Sequence, residues 1–345
     1  MKAIRLVEWE QPPVLTDVEV PEPGPGEVLL RVGAAGLCHS DLHVMEWPEG
    51  TLPYDLPFTL GHENAGWVAT VGPGVTQYRA DDPVVVYGPW GCGCCRTCAR
   101  GEENICEQAT ARRAHGGGLG RNGGLAEFLL VPSERLLVPV GDLNPVVAAP
   151  LTDAALTPYH VIKRALPKLV PGSTAVVIGV GGLGHVAVQV LRALSVTRII
   201  AIDRRPEALE LATRAGADVA VTAGEGARDD VLAETPGRRG TNAVFDFVGV
   251  DDTLQLAAAV AAVGADVMVV GVSGGTYPMS FGGSPLEASV TIPNWGTRSE
   301  LLEVVALARG GHLSIEIEQI GLEDVLAGYE RLHRGEVVGR AVAVP

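Results

Sequence analysis

Two rhythms of apolar positions divide the chain. Up to about residue 150, short β-branched runs at 28–32, 67–71, 83–87 and 127–131 alternate with Gly/Pro punctuation, such as Pro-Glu-Pro-Gly-Pro-Gly at 21–26. Runs of that length between turn residues predict β-strands with irregular connections. After about residue 170 the period changes. A continuous apolar strand at 175–178 leads through a glycine-rich turn into an apolar helix at 185–194 and a second strand at 198–202. Pro206 opens another helix that ends near Gly216, and 219–221, 243–247 and 266–270 continue as buried strands. Strands alternating with helices predict an α/β fold with a parallel, doubly wound sheet. From about 295 the pattern turns mixed again, with a helix at 299–309 and a last strand at 341–344. No internal repeat is visible.

Composition agrees with that division. A chain of 345 residues is long for one domain and comfortable for two. The 47% of hydrophobic residues supplies ample core, and 44 glycines with 24 prolines suit many tightly turned strands. A net charge of −15 argues against nucleic acid or an anionic membrane as partner. The most apolar stretch, 174–194, is broken by glycines, His185, Gln189 and Arg192, which makes a membrane span a poor reading. The first residues enter a strand-like run directly, without a charged-then-apolar signal segment, so a cytoplasmic location is expected.

Chemistry concentrates in three places. Cys92, Cys94, Cys95, Cys98 and Cys106 are five of the six cysteines. In a reducing compartment such thiols serve as metal thiolates. Cys92, Cys95, Cys98 and Cys106 have the spacing C-x2-C-x2-C-x7-C, which suits a closed, four-thiolate zinc site with no position left for substrate; Cys94 is spare. Free thiols or an iron–sulfur site are the competing readings. Next, Gly179-Val-Gly181-Gly182-Leu183-Gly184 lies between a predicted strand and helix with the dinucleotide-binding spacing G-x-G-x-x-G. Asp203 ends the next strand, where a carboxylate accepts from a ribose 2′-hydroxyl and repels a 2′-phosphate; that favours NAD over NADP, although Arg204 and Arg205 temper it. Finally, Cys38 in Gly36-Leu-Cys38-His39-Ser40-Asp41-Leu42-His43 and His62 in Gly61-His62-Glu63 can supply a thiolate and an imidazole to a catalytic zinc with an open position. From the residues alone, Asp153 is one choice among many acids for a third ligand.

With these segments in this order, the chain resembles the medium-chain, zinc-dependent alcohol dehydrogenases nearly end to end, and among them the bacterial NAD-dependent secondary-alcohol enzymes. The resemblance implies a GroES-like catalytic domain at 1–153 carrying the zinc lobe 92–106, a Rossmann NAD-binding domain at 154–291, and a return to the catalytic domain at 292–345. It implies Cys38 and His62 as catalytic zinc ligands, with Asp153 where many members carry a second cysteine. Glu63 is implied beside the metal as a transient ligand, and Asp41 as the carboxylate that orients His62. Ser40 is implied as the hydroxyl on the substrate oxygen and His43 as the end of a proton relay. His39, Thr157 and Arg340 match cofactor contacts, and Val248, Gly249, Gly271 and Val272 lie beside the nicotinamide ribose. Tyr54, Leu119 and Trp295 are expected to wall an apolar substrate pocket.

The expectations that follow are hydride exchange between small apolar alcohols or ketones and NAD, two zinc ions per chain, and a homodimer or homotetramer. A polyol, formaldehyde or aryl-alcohol dehydrogenase is the rival within the family. A metal-free nicotinamide-binding relative of the quinone reductase type and a non-catalytic zinc-ribbon protein are the rivals outside it.

Overall fold

The computed structural model describes residues 1–345, and the chain divides into two compact units. The first comprises Met1–Leu156, Trp295–Gly310 and Ile315–Pro345; the second comprises Thr157–Asn294 and Gly311–Ser314. The breaks fall at 156 and 294, beside the expected 153 and 291.

The first unit is built on a seven-stranded sheet. Its main path runs Leu137–Pro139, Pro83–Val86, Glu63–Val71, Val28–Gly36, Arg340–Val344 and Ile317–Gly321, with Phe128–Val131 also pairing Val28–Gly36. All neighbours are antiparallel except the last two strands of the path, which run parallel. The Val28–Gly36 strand extends four residues beyond the expected 28–32, through Gly33 and Gly36. Small residues there leave a weak hydrophobic signal, and packing requires them. A Cβ at Gly33 would meet the Trp67 ring at 2.7 Å, and one at Gly36 would overlap the Glu63 carboxylate. Ile4, Leu6, Leu37, Leu60, Leu125, Val325 and Tyr329 form a buried core cluster with Ala35, Ala341 and Ala343 of these strands, among others.

The second unit holds a six-stranded, all-parallel sheet in the order Val219–Thr222, Arg198–Asp203, Thr174–Ile178, Thr241–Asp246, Ala261–Val269, Ser289–Thr291. In chain order this is 3-2-1-4-5-6, the doubly wound dinucleotide-binding topology. Central strands are apolar throughout because both faces are covered. The strand expected at 266–270 begins earlier, at Ala261, since the register shifts between Thr241 and Ala243 and lets an irregular stretch join the ladder. Residues 311–314 are fastened to this unit by Gln189, whose side chain accepts from the Ser314 N–H at 2.7 Å and donates to its carbonyl at 2.9 Å.

Candidate active site

Three chain segments meet in the first unit. Cys38 caps the helix His39–Glu46 directly after the Val28–Gly36 strand and Leu37. Asp41, at the third helical position, accepts from the Cys38 N–H through Oδ2 at 3.0 Å, the returning half of a capping box. His62 follows Gly61, whose φ of 92° places it in the left-handed region that glycine tolerates. Asp153 terminates the 3-10 turn Ala149–Thr152. The Cys38 sulfur, a His62 ring nitrogen and an Asp153 oxygen all lie within 4.8 Å of one another, and all three residues are buried. Asp153 Oδ2 is 3.6 Å from His62 Nε2 and 3.7 Å from Cys38 Sγ.

The surroundings fix these groups. His62 Nδ1 faces Asp41 Oδ1 at 2.9 Å, so Nε2 is the nitrogen turned toward Asp153. Glu63 takes both arms of Arg340, at 2.9 Å from Nε and 2.5 Å from Nη2, and also accepts from the Ala154 N–H. Glu63 is therefore not among the converging donors. Burial raises its pKa to about 7 against the pull of Arg340. Arg340 is 3% exposed, and its fork is engaged by Glu63 inside the first unit, with Asp153 Oδ2 3.6 Å away. This is a different setting from the cofactor contact expected of it.

Cys38, Glu63 and Asp153 act on one buried arginine, Arg340, while Asp41 stands behind His62. Burial opposes charge on His62, yet Asp41 and hydrogen bonds to Asp153, Asp41 and Cys38 outweigh it and raise the His62 pKa well above its ordinary value. The cluster thus favours a positive charge at the point where the three donors converge. One sulfur, one imidazole nitrogen and one carboxylate oxygen form a donor set that suits a zinc with an open position.

The other expected residues are placed as follows. Ser40 Oγ lies 3.6 Å from Cys38 Sγ. The His43 ring stacks on Trp47 at 5.9 Å, its Nδ1 is buried without a hydrogen-bond partner, and burial lowers its pKa. His39 is exposed at the start of the same helix. Trp295 meets the His62 ring edge-on at 5.5 Å and donates from Nε1 to the Thr152 carbonyl at 3.0 Å. Its φ of 54° is unusual for a tryptophan, and these contacts hold it there. Tyr54 bonds His115 Nδ1 at 2.8 Å through its hydroxyl. Tyr54 lies in the apolar core cluster and Leu119 packs against it, while Trp295 meets the ring of a donor residue.

In the second unit the glycine turn has the expected geometry. Gly179 has φ 84°, and a Cβ there would meet Val248 Cγ2 at 2.5 Å. Gly181 has nothing within 4 Å of its Cβ direction, which leaves room for a ligand. A Cβ at Gly184 would overlap the Gly179 carbonyl. Gly182 is half-buried and Leu183 caps the helix Gly184–Leu194. Asp203 accepts from the Val180 N–H at 2.8 Å and the Arg205 N–H at 3.0 Å, tying the strand end to the turn, while Arg204 is exposed. Val248 and Gly249 both donate to Asp246 Oδ1, and a Cβ at Gly271 would overlap the Val248 carbonyl. Thr157 is buried and Val272 exposed.

The four cysteines at 92–106 also converge, with all ligand atoms within 4.8 Å of one another. Amides of Cys94 and Cys95 point at the Cys92 sulfur and lower its pKa, and the Thr97 hydroxyl leads the groups that bring Cys95 to about 5. Cys94 is exposed.

The Alcohol dehydrogenase GroES-like domain model matches residues 24–142, and the Zinc-binding dehydrogenase model matches 182–309. The chain is 35% identical to an NAD-dependent alcohol dehydrogenase of Sulfurisphaera tokodaii over 100% of both sequences. It is 35% identical to a D-arabinose 1-dehydrogenase (NADP(+)) of Saccharolobus solfataricus, over 100% of this chain and 97% of the relative. The crystal structure of the alcohol dehydrogenase from Aeropyrum pernix matches with a TM-score of 0.92 and 36% identity, covering 100% of both chains. The chain belongs to the medium-chain, zinc-dependent alcohol dehydrogenase family.

In this dehydrogenase two further buried side chains contact the candidate sites. Tyr329 donates to Asp41 Oδ2 at 2.9 Å, from a helix 288 positions further along the chain. His185 Nδ1 lies 2.8 Å from the Gly181 carbonyl, on the glycine turn itself. Tyr329 was detectable in principle: Val325, Gly328, Tyr329 and Leu332 are buried at i, i+3, i+4 and i+7, one face of the helix Val325–His333.

Proposed function

We propose that this dehydrogenase oxidises small apolar alcohols, secondary in preference to primary, to ketones or aldehydes with NAD as hydride acceptor, and also runs the reverse reduction. The observation that carries the proposal is the buried convergence of Cys38, His62 and Asp153. A zinc ion held by these three supplies Lewis acidity toward the alcohol oxygen, and NAD supplies the hydride acceptor. Asp41 holds the proton of His62 on Nδ1, which leaves Nε2 as the donor. Ser40 accepts the alcohol proton as its own hydroxyl proton leaves by way of the cofactor ribose to His43, which passes it toward solvent. Gly179, Gly181, Gly182, Leu183 and Gly184 receive the pyrophosphate on backbone amides, and Asp203 selects NAD through the ribose. His39, Thr157, Arg204, Val248, Gly249, Gly271 and Val272 complete the cofactor contacts.

A second zinc on Cys92, Cys95, Cys98 and Cys106 is structural, since four thiolates close the coordination. Cytoplasmic residence is the reading supported by a cysteine cluster whose spacing suits metal thiolates. A homodimer or homotetramer is supported by apolar side chains left on the second unit, with Phe281 99% and Ile292 81% exposed. Oxidation of a sugar or polyol is the second reading, favoured by the 35% identity to the D-arabinose enzyme.

Metal analysis with an NAD-linked substrate panel tests the proposal. Two zinc per chain and faster NADH formation with 2-butanol than with ethanol or D-arabinose are expected. One zinc per chain without alcohol-dependent NADH formation supports the zinc-ribbon reading, and none supports the metal-free reductase reading. Either result overturns the proposal. Two zinc with D-arabinose as the best substrate transfers it to sugars.

A further inference from the structure

We infer that Tyr329 is a positioning residue for the metal-binding imidazole: acting through Asp41, its hydroxyl fixes His62 and tightens the hold of the Cys38–His62–Asp153 site on its ion. The inference rests on the zinc dehydrogenase reading above and goes beyond it, because it brings the C-terminal helix into the construction of the metal site.

The Asp41 carboxylate is fully buried and receives three donors. Oδ2 accepts from the Cys38 N–H at 3.0 Å and from the Tyr329 hydroxyl at 2.9 Å, while Oδ1 faces His62 Nδ1 at 2.9 Å. Without Tyr329 only the Cys38 N–H would hold the carboxylate against rotation about its broad terminal torsion independently of the imidazole that it has to orient. A second donor, arriving from another element, fixes that plane and with it the oxygen offered to the imidazole. A fixed, fully accepting carboxylate holds the ring orientation and raises the basicity of the nitrogen that meets the metal. Burial, together with the adjacent Asp41 carboxylate, raises the Tyr329 pKa well above its ordinary value, so the phenol remains a donor.

The fold brings the hydroxyl there through a close approach. Gly328 precedes Tyr329 on the helix Val325–His333, and a Cβ at Gly328 would meet Ile320 Cδ1 at 2.7 Å and Leu37 Cδ2 at 3.0 Å. Leu37 is the residue before Cys38, and its N–H donates to the Ala341 carbonyl at 2.9 Å. The same C-terminal segment supplies Arg340 to Glu63. The last part of the chain therefore grips both the Cys38 and the His62–Glu63 segments. Tyr329 is its one hydroxyl reaching the carboxylate behind the imidazole.

The test is metal affinity, read by chelator competition and by the absorption bands of enzyme carrying Co(II) at this site. Tyr329→Phe is expected to weaken the ion at Cys38–His62–Asp153 about tenfold and to shift the Co(II) bands, while the ion on the four cysteines stays bound. In an Asp41→Asn background the same change is expected to cause no further loss, because the hydroxyl acts through that carboxylate. Gly328→Ala, which displaces the helix without removing the hydroxyl, is expected to cause a smaller loss of the same sign. It also serves if Tyr329→Phe does not accumulate. Unchanged affinity and bands in the single variant overturn the inference, and so does an equal loss in the Asp41→Asn background, which marks a general packing effect. A wild-type chain that binds one ion and keeps it after Cys38→Ser overturns the dehydrogenase reading, and this inference with it.

Discussion

The two donor clusters of this molecule are built on opposite plans. Cys92, Cys95, Cys98 and Cys106 lie within fifteen residues, are partly accessible, and are arranged by local backbone amides. Cys38, His62 and Asp153 span more than a hundred positions, are all buried, and are held by side chains from residue 41 to residue 340. The local cluster has four like donors and is complete. The dispersed one has three unlike donors, a surplus of buried carboxylates and an open position. A site confined to one loop needs little from the rest of the fold. A site that must keep an open position while resisting collapse needs its donors fixed from several directions.

The sharpest way to break the comparison is a pair of variants. Asp153→Ala is expected to lower kcat/KM by more than about 10³-fold, the scale of lost metal-based charge stabilisation, while the ion count falls from two to one. Cys95→Ala should lower the ion count equally and reduce the melting temperature, yet leave most of the turnover per folded molecule. Equal loss of activity in the two variants would erase the distinction between them. Next in size, Arg340→Met strands the buried Glu63 carboxylate and should destabilise the chain by about 3 kcal/mol in urea unfolding, since breaking one side of a buried pair is costly. Breaking a surface pair such as Arg334 with Glu336 should leave the unfolding midpoint nearly unchanged in the same assay, because solvent screens an exposed pair.

Asp203→Gly removes the carboxylate at the strand end and should reduce the preference for NAD over NADP about tenfold or more, measured as the ratio of kcat/KM values. An unchanged ratio would detach Asp203 from the ribose. The smallest effect concerns pH. Burial lowers the pKa of His115, beside Tyr54, below its ordinary 6.5. The folded state therefore binds fewer protons than the unfolded state below pH 6.5, so stability is full above that pH and declines as the pH falls through it. His115→Gln should flatten this part of the stability profile, read from melting temperatures between pH 7.5 and 5.5.

Much of the fold is legible in the sequence. The parallel sheet announced itself through continuous apolar strands alternating with helices, because strands covered on both faces have no polar side to show. The extension of the Val28–Gly36 strand was not readable, since Gly33 and Gly36 weaken every propensity signal and are there because Trp67 and Glu63 occupy the space a side chain would take. Tyr54 lies in a core cluster and Leu119 packs against it, contacts that depend on what stands opposite them. The amphipathic spacing around Tyr329 was visible, but its target was not.

The sequence alone determined the two-domain plan, the glycine turn with its following acid, and the four-cysteine lobe. Each of these is local: the spacing is the geometry, because a few residues of backbone fix where the side chains can go. Only the tertiary structure decided the dispersed site. It brought Asp153 rather than another acid to Cys38 and His62, engaged Arg340 with Glu63, and set Tyr329 behind Asp41. Contacts between residues a hundred or more positions apart are set by how strands and helices pack, and packing answers to the whole core at once.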